Sequence, residues 1–253
     1  MITLIHANSI ATLTLSRPPV NAVSDDLIKL FDAKLDEIGA RPDCKVVHLR
    51  SDQKVFCAGA DLAEVRARFD APDGSERAYD YVSRLQQLYG RLERLPQVTL
   101  AEVGGAAMGG GLELALACDL RIFAVGAKIG LPEARLGLIP GGGGTQRLTR
   151  LCGRAVAARL IFGAEILDGA AAVGLGIGQW AVAGTEISTR ACEIVQRIAA
   201  LPSAALFGGK RCIAAAEEPG DRGYSAERDE TRRLSANPET RERVAAFFSG
   251  QFR

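Results

Sequence analysis

The sequence predicts an α/β fold with mostly parallel strands and a helical C-terminal part. Short, heavily apolar segments such as 98–103 alternate with segments of helical periodicity, which is typical of parallel sheets covered by helices. From Thr145 onward most segments have the pattern of helices. We therefore expect a core over residues 1–185 and a helical region over residues 186–253 that is suited to contact other subunits.

The first fifty residues predict two strands, a helix and a third strand. Residues 1–16 mix Ile and Leu with Thr, which favours β structure, and Pro18 and Pro19 then end the pattern. Ser24 is a predicted N-cap, followed by two aspartates where the helix dipole favours negative charge. Apolar residues recur at helical spacing up to Ile38, and 45–49 (KVVHL) is a buried-strand candidate.

The middle of the chain alternates in the same way. A polar helical stretch over 62–94 contains the turn sequence Pro72-Asp73-Gly74, which predicts a bend or a mobile point. Strands are predicted over 98–103 and 120–125, on either side of a glycine-rich segment that leads into a helix over 112–118. Further helices are predicted over 145–151, 154–162, 168–173, 186–200, 204–216, 224–234 and 240–248.

Composition excludes several classes of function. The chain has 253 residues, 47% of them hydrophobic, and a formal net charge of +1, which indicates no bulk attraction to nucleic acid or membranes. No apolar run reaches the roughly 18 residues of a membrane helix, and the N-terminus lacks a signal-peptide pattern. Six scattered cysteines without a CxxC pair and only two histidines predict reduced thiols and no metal site. We expect a soluble, cytoplasmic protein.

Three segments carry groups suited to chemistry, although each alone has a simpler explanation. Gly109–Gly111 leads directly into a helix with Glu113 in its first turn, which suits an anion or merely a tight turn. Glu133 follows Pro132 among apolar residues, where a carboxyl group tends to keep its proton. In FCAGADL (56–62), Gly59 permits a sharp turn that would direct the Ala60 N–H into a pocket.

Together these segments resemble the crotonase (enoyl-CoA hydratase/isomerase) superfamily along nearly the whole chain. The resemblance is carried by 17–24 (RPPVNAVS), 56–62 (FCAGADL), 109–122 (GGGLELALACDLRI) and 130–148 (GLPEARLGLIPGGGGTQRL). It implies a crotonase-like spiral of ββα units with a helical C-terminal trimerisation region. It also implies an acyl-CoA substrate and assembly as a homotrimer or as a hexamer built from two trimers.

The resemblance implies roles for individual residues. The family's oxyanion hole falls on the backbone N–H groups of Ala60 and Gly110. Its two hydratase carboxylates fall on Glu113, as base toward water, and Glu133, as acid toward the α-carbon. Substrate and coenzyme A contacts are implied for Val20, Ala22, Ala58, Asp61, Leu62, Gly109 and Pro132. No cofactor or metal is implied, because coenzyme A is part of the substrate.

The sequence departs from the family pattern at three points. Ala63 stands where many relatives have a lysine, and the chain ends at Arg253 without the usual basic stretch. Lys210 or Arg211 is therefore a candidate for contacting the phosphates of coenzyme A. Glu102 lies in a predicted buried strand, where a carboxylate needs a partner; a structural role is favoured over that of a third acid.

Several activities stay open at this level. An enoyl-CoA hydratase is favoured because both glutamates are present, whereas an enoyl-CoA isomerase or a cyclic dienoyl-CoA hydratase is the alternative within the family. A non-catalytic CoA-binding or RNA-binding member is the alternative from another class, and near-zero net charge disfavours RNA binding. Dinucleotide binding is excluded because no G-x-G-x-x-G motif follows the first strand.

Overall fold

A computed structural model describes residues 1–216 and 220–250, and its main feature is a six-stranded sheet. Residues 217–219 and 251–253, including Arg253, lie outside the described residues. The strands β1 and β2 form an antiparallel pair, and every other neighbouring pair is parallel. In spatial order the strands are β1 (Ile2–Ala7), β2 (Ile10–Leu15), β3 (Val46–Ser51), β4 (Val98–Val103), β6 (Leu120–Ala124) and β9 (Trp180–Val182).

A second, three-stranded sheet was not predicted. It consists of β5 (Ala107–Met108), β7 (Ile129–Gly130) and β8 (Ile166–Leu167). Two-residue strands have no readable periodicity, which explains the omission. The sheet extends toward the glycine-rich segment, because Gly109 N donates to the Gly130 carbonyl at 2.9 Å.

The helices of the core begin and end close to their predicted positions. Ser24 caps α1, since its Oγ accepts a hydrogen bond from Leu27 N at 3.2 Å. The predicted bend near Pro72 is confirmed as a break between α2 and α3, and α5 is kinked at Gly153, where two helices were predicted. These core helices are α1 (Asp25–Gly39), α2 (Leu62–Phe69), α3 (Gly74–Glu93), α4 (Gly110–Leu116), α5 (Gly144–Phe162) and α6 (Gly169–Gly174).

The C-terminal region divides into one buried helix and three exposed ones. Helix α7 (Ile187–Ala199) packs on β3 and β4, and its residues Ile194 and Val195 belong to the main hydrophobic core. Helices α8 (Ser203–Ala215), α9 (Arg222–Ser235) and α10 (Pro238–Phe248) have one buried residue in total, Gly208. Helix α7 thus packs as part of the sheet layer, while the division at residue 186 stays a prediction.

No helix within residues 1–216 and 220–250 is both long enough and apolar enough to cross a membrane.

Candidate active site

A cavity of about 670 Å³ lies between α2, α3 and the loops that precede α4 and α5. Its wall is mostly apolar, with a few polar groups, as is common for small-molecule sites. The cavity brings together residues that are far apart in the sequence. Of the residues implied by the resemblance, those lining it are Ala58, Ala60, Leu62, Gly109, Gly110, Glu113, Pro132 and Glu133.

Three of the implied coenzyme A contacts, Val20, Ala22 and Asp61, do not line this cavity. Asp61 caps α2 by accepting from Ala63 N at 3.0 Å, and it pairs with Arg17 at 2.7 Å. The hydrogen bond from Arg17 holds the pKa of Asp61 below its usual range. The Val20 and Ala22 carbonyls accept hydrogen bonds from Ala58 N and the Arg17 guanidinium, respectively. These residues shape the loop beside the cavity.

Two backbone N–H groups converge where the loops before α2 and α4 meet. Gly59 adopts a φ of +93°, and a Cβ on it would lie 2.8 Å from the Met108 oxygen and 3.3 Å from the Gly110 nitrogen. A side chain at position 59 would therefore separate the two loops. Within the described residues, the N–H groups of Ala60 and Gly110 donate no hydrogen bond. Free amides at a helix N-terminus suit a developing negative charge.

Glu113 is buried in the first turn of α4. Its Oε1 accepts a hydrogen bond from Gly144 N at 2.8 Å, and this bond favours the ionised carboxylate. Burial raises the pKa of Glu113, and the amides of Gly144 and Gly142, together with the charge of Arg147, oppose that rise. The side chain is thus held by the loop before α5.

Glu133 begins the 3₁₀ helix Glu133–Leu136 and has a less satisfied environment. Its Oε2 is sealed from solvent and has no hydrogen-bond partner. Burial, with a smaller contribution from the charge of Glu113, raises the pKa of Glu133 to about 7. This rise has the same direction as the predicted tendency of this carboxyl group to keep its proton.

The glycines at the start of α4 allow both carboxylates to approach the free amides. A Cβ on Gly109 would lie 2.8 Å from Glu133 Oε1. A Cβ on Gly110 would lie 3.8 Å from both Glu113 Oε2 and Ala60 N. One end of the cavity therefore combines an amide pair with two carboxyl groups that differ in hydrogen bonding. Such a site can move protons beside a carbonyl group while stabilising its oxygen.

Several residues that support the site could not be recognised from the sequence. Tyr89 on α3 donates from its hydroxyl to the Gly110 carbonyl at 2.8 Å. Residues 141–143 form a turn before α5, and Gly142 and Gly144 pack against Glu113. Tyr89 lies within an ordinary amphipathic pattern and carries no separate signal.

The two candidate phosphate contacts on α8 are already engaged within the chain. Lys210 Nζ pairs with Asp119 at 2.8 Å and also donates to the Gln97 carbonyl at 2.9 Å. Arg211 pairs with Glu230 at 2.6 Å. These bonds attach α8 to the segments that precede β4 and β6, and to α9. Both residues therefore have structural partners within the chain.

Glu102 is buried outside the cavity wall and has two partners. It shares a hydrogen bond of 2.7 Å with His48 Nε2 and accepts one of 2.6 Å from Ser188 Oγ. These contacts join β3, β4 and α7, which agrees with the structural role favoured for Glu102.

Comparison with known proteins assigns the family. A family model described as enoyl-CoA hydratase/isomerase matches residues 6–249. Mitochondrial methylglutaconyl-CoA hydratase from Mus musculus is 43% identical over 158 residues, covering 62% of this chain and 49% of the mouse protein. A probable enoyl-CoA hydratase from Bacillus subtilis is 41% identical over 168 residues, covering 66% of this chain and 64% of that protein. The matched region thus spans about half to two thirds of these relatives.

Solved structures agree with this assignment. The crystal structure of an enoyl-CoA hydratase from Bacillus anthracis superimposes with a TM-score of 0.92 at 31% identity, covering 98% of this chain and 96% of that one. The expected spiral fold is thereby confirmed. The shared fold and the match over residues 6–249 show that the chain belongs to the enoyl-CoA hydratase/isomerase family, within the crotonase superfamily.

Proposed function

We propose that this protein is an enoyl-CoA hydratase, which adds water across the 2,3 double bond of an α,β-unsaturated acyl-CoA. The observation that carries the proposal is the convergence of Glu113, Glu133 and the free N–H groups of Ala60 and Gly110 at one end of the cavity. Its relatives include proteins named as hydratases, which supports the same reaction.

Each group has a defined part in the proposed reaction. Glu113 removes a proton from water as the oxygen attacks the β-carbon of the enoyl group. Negative charge then moves onto the thioester oxygen, where the Ala60 and Gly110 N–H groups stabilise it as an enolate. Glu133 gives its proton to the α-carbon. Transfer of a proton from Glu113 to Glu133 restores the starting state, so no cofactor is required beyond the coenzyme A of the substrate.

The different surroundings of the two carboxyl groups support this division of roles. Burial raises the pKa of Glu113, but the backbone N–H that it accepts opposes this rise and favours the charged form, as a base requires. Glu133 has a pKa of about 7 and an oxygen without a hydrogen-bond partner, which favours its neutral form, as an acid requires. Because the two groups interact, their titrations are coupled and belong to the pair.

The cavity wall favours a neutral acyl group. Arg68 is a cationic residue in the wall, but its Nη2 already donates to Asp25 and Glu64, each at 2.9 Å. Arg84 shares Asp25, so these two cations are balanced by two carboxylates. A further carboxylate on the acyl chain would thus enter a largely apolar cavity without an excess of positive charge. We expect crotonyl-CoA to react faster than glutaconyl-CoA.

The test is hydration of crotonyl-CoA, followed through loss of the enoyl-thioester absorbance. The native protein should consume the substrate, and Glu113→Gln should lower the rate by about 10²- to 10⁴-fold, the usual contribution of a general base. Glu37→Gln, a change on the exposed face of α1, serves as the control and should leave the rate unchanged.

Substrate binding without hydration would overturn the proposed reaction. The isomerase alternative is tested in the same assay with a 3-enoyl-CoA, for which one carboxylate suffices to move a proton. Faster conversion of the 3-enoyl than of the 2-enoyl thioester would favour isomerisation.

We also propose that the chain assembles as a trimer or as a dimer of trimers. The support is an exposed apolar groove of about 380 Å³ between α8, α9 and α10, which includes Val244, Phe247 and Phe248. Large exposed apolar patches commonly mark subunit contacts. Sedimentation equilibrium should give three or six times the chain mass of 26.8 kDa, and a monomer would contradict the proposal.

A further inference from the structure

Arg147 lies behind the glycine loop of the cavity and outside the cavity wall. It is the fourth residue of α5, and its side chain is only 11% exposed. Its Nη1 donates to the Gly142 carbonyl at 2.9 Å, and its Nη2 donates to Glu93 at 2.8 Å. Its Nε is sealed from solvent without a partner. Arginine side chains are rarely this far removed from solvent unless they serve contacts within the protein, so the position of Arg147 calls for a specific role.

The loop places Arg147 and Glu113 on opposite sides of three glycines. A Cβ on Gly142 would lie 2.7 Å from Glu113 Oε2, and one on Gly143 would lie 2.2 Å from Arg147 Nη1. Gly144 donates its N–H to Glu113 Oε1 at 2.8 Å. The hydrogen bond of Arg147 to the Gly142 carbonyl therefore fixes the same short segment that holds the base.

Helix α3 anchors this arrangement from the other side. Glu93, near its C-terminal end, binds Arg147, and Gln86 Nε2 donates to the Gly141 carbonyl at 2.7 Å. The same helix contributes Val82 and Leu85 to the cavity wall. The loop is thus held to the helix that the acyl group would contact.

Glu113 interacts electrostatically with three ionisable groups from three elements: Arg147 lowers its pKa, and its own charge raises the pKa of the other two. They are Glu133 on the 3₁₀ helix, Tyr89 on α3 and Arg147 on α5. Among these, only Arg147 is a cation and favours the ionised carboxylate. The guanidinium therefore acts both through the loop geometry and through its charge.

We propose that Arg147 is a positioning residue, which holds the Glu113 carboxylate in place and in its charged form through the Gly142–Gly144 loop, with Glu93 as its anchor. The link to rate rests on the proposed hydratase function. The link to the ionisation of Glu113 does not, and it can be measured without substrate.

The experiment compares pH profiles of kcat/KM for hydration of crotonyl-CoA. Arg147→Gln should move the acidic limb, where Glu113 gains its proton, upward by roughly half to one pH unit, because a nearby positive charge is lost. Arg147→Lys should restore part of that shift. Glu93→Gln keeps an acceptor for Nη2 but removes a negative charge, so the limb should move downward. Arg159→Gln, an exposed arginine on the same helix paired with Glu165, should move nothing.

A simple loss of structure would lower the activity of both variants without moving the acidic limb of the pH profile. Opposite shifts of that limb in Arg147→Gln and Glu93→Gln would therefore identify an effect of charge. Unmoved limbs in both variants would overturn the proposal.

Carbon-13 NMR titration of the glutamate carboxyl groups gives the same answer without turnover. The Glu113 signal is assigned by its disappearance in Glu113→Gln, and its midpoint should rise in Arg147→Gln. An unchanged midpoint would overturn the proposal even if the protein were an active hydratase. A shifted midpoint in a protein that hydrates nothing would reject only the proposed function.

Discussion

Glu102 and Glu133 are two carboxyl groups with opposite surroundings, since Glu102 is buried and Glu133 is half-buried in the cavity wall. Glu102 has a hydrogen bond to each oxygen, from His48 and Ser188. Burial raises its pKa, but these hydrogen bonds together with the charges of His48 and Arg50 outweigh burial, and the pKa lies below its usual range. Glu133 has an oxygen with no partner, and its pKa is raised to about 7.

The difference separates a carboxylate that serves the fold from one that is available for chemistry. A satisfied buried carboxylate stabilises the charged form and the elements that bind it, whereas an unsatisfied one keeps a proton that it can give away. The strand position of Glu102 and the cavity position of Glu133 agree with this interpretation. The comparison can be tested by asking which residue affects rate and which affects stability.

The largest expected effect is the loss of hydration rate in Glu133→Gln. Because glutamine cannot supply the α-carbon proton, hydration should fall by about 10²- to 10⁴-fold. The unfolding midpoint at pH 8 should be unchanged or higher, since the variant no longer places a charge in a desolvated site. Kinetics with crotonyl-CoA and calorimetry on the same preparations measure both. A clear loss of stability would mean that Glu133 also serves the fold.

The pH dependence of the rate gives the next largest effect. Glu133 must be protonated to act, so kcat/KM should fall by about tenfold per pH unit once the pH exceeds its pKa of about 7. The residual activity of Glu133→Gln should lack this alkaline limb. An identical limb in that variant would assign the titration to another group.

Glu102→Ala should have a smaller effect, and it should lower the stability of the fold without changing the hydration rate. Leaving His48 and Ser188 without their acceptor should cost about 2 kcal/mol in the free energy of unfolding. Since the folded pKa of Glu102 is depressed, its contribution is present above the usual carboxyl pKa and is lost as the pH falls through the folded value.

Urea unfolding at pH 7 and at pH 3.5 would measure this contribution of Glu102. The difference in free energy of unfolding between the native protein and Glu102→Ala should be smaller at the lower pH. The contribution of Glu133 to stability should have the opposite pH dependence, because its raised pKa lowers stability as the pH rises from 4.5 to about 7. A large loss of turnover in Glu102→Ala, with the fold intact, would contradict the structural role.

The smallest effect is expected for Ser188→Ala. This change removes one of the two hydrogen bonds to Glu102 and should cost about 1 kcal/mol. The pKa of Glu102 should move upward, toward that of an unsatisfied carboxyl group, while hydration of crotonyl-CoA stays unchanged. Urea unfolding and NMR titration of Glu102 measure the two results, and Ser225→Ala on exposed α9 is a suitable control.

The sequence predicted the main elements of the fold because their signals are local. The Ser24 cap, the break after α2 and the alternation of apolar strands with helices all depend on neighbouring residues. Glu113 and Glu133 could be identified because each belongs to a recognisable motif. Their different hydrogen bonding was not predictable, since the partner of Glu113 is Gly144, thirty-one residues away.

What the sequence did not predict depends on contacts between distant segments. The three-stranded sheet that supports Gly109 has strands too short to recognise. Arg147 has no motif that marks it as buried, and its partner Glu93 is fifty-four residues away. The implied contacts Val20, Ala22 and Asp61 came from a family pattern, which does not state whether a residue lines a cavity or shapes the loop beside it.

The glycine loop also has a consequence for protein engineering. Even an alanine at position 142 or 144 would place a carbon within 3 Å of a Glu113 oxygen, so these sites accept no side chain while that glutamate keeps its position. Gly137 and Gly176 have open space around them and instead require glycine only for their backbone angles. Mutant libraries that aim to alter acyl selectivity should therefore vary the wall formed by α2 and α3 and leave positions 142 and 144 untouched.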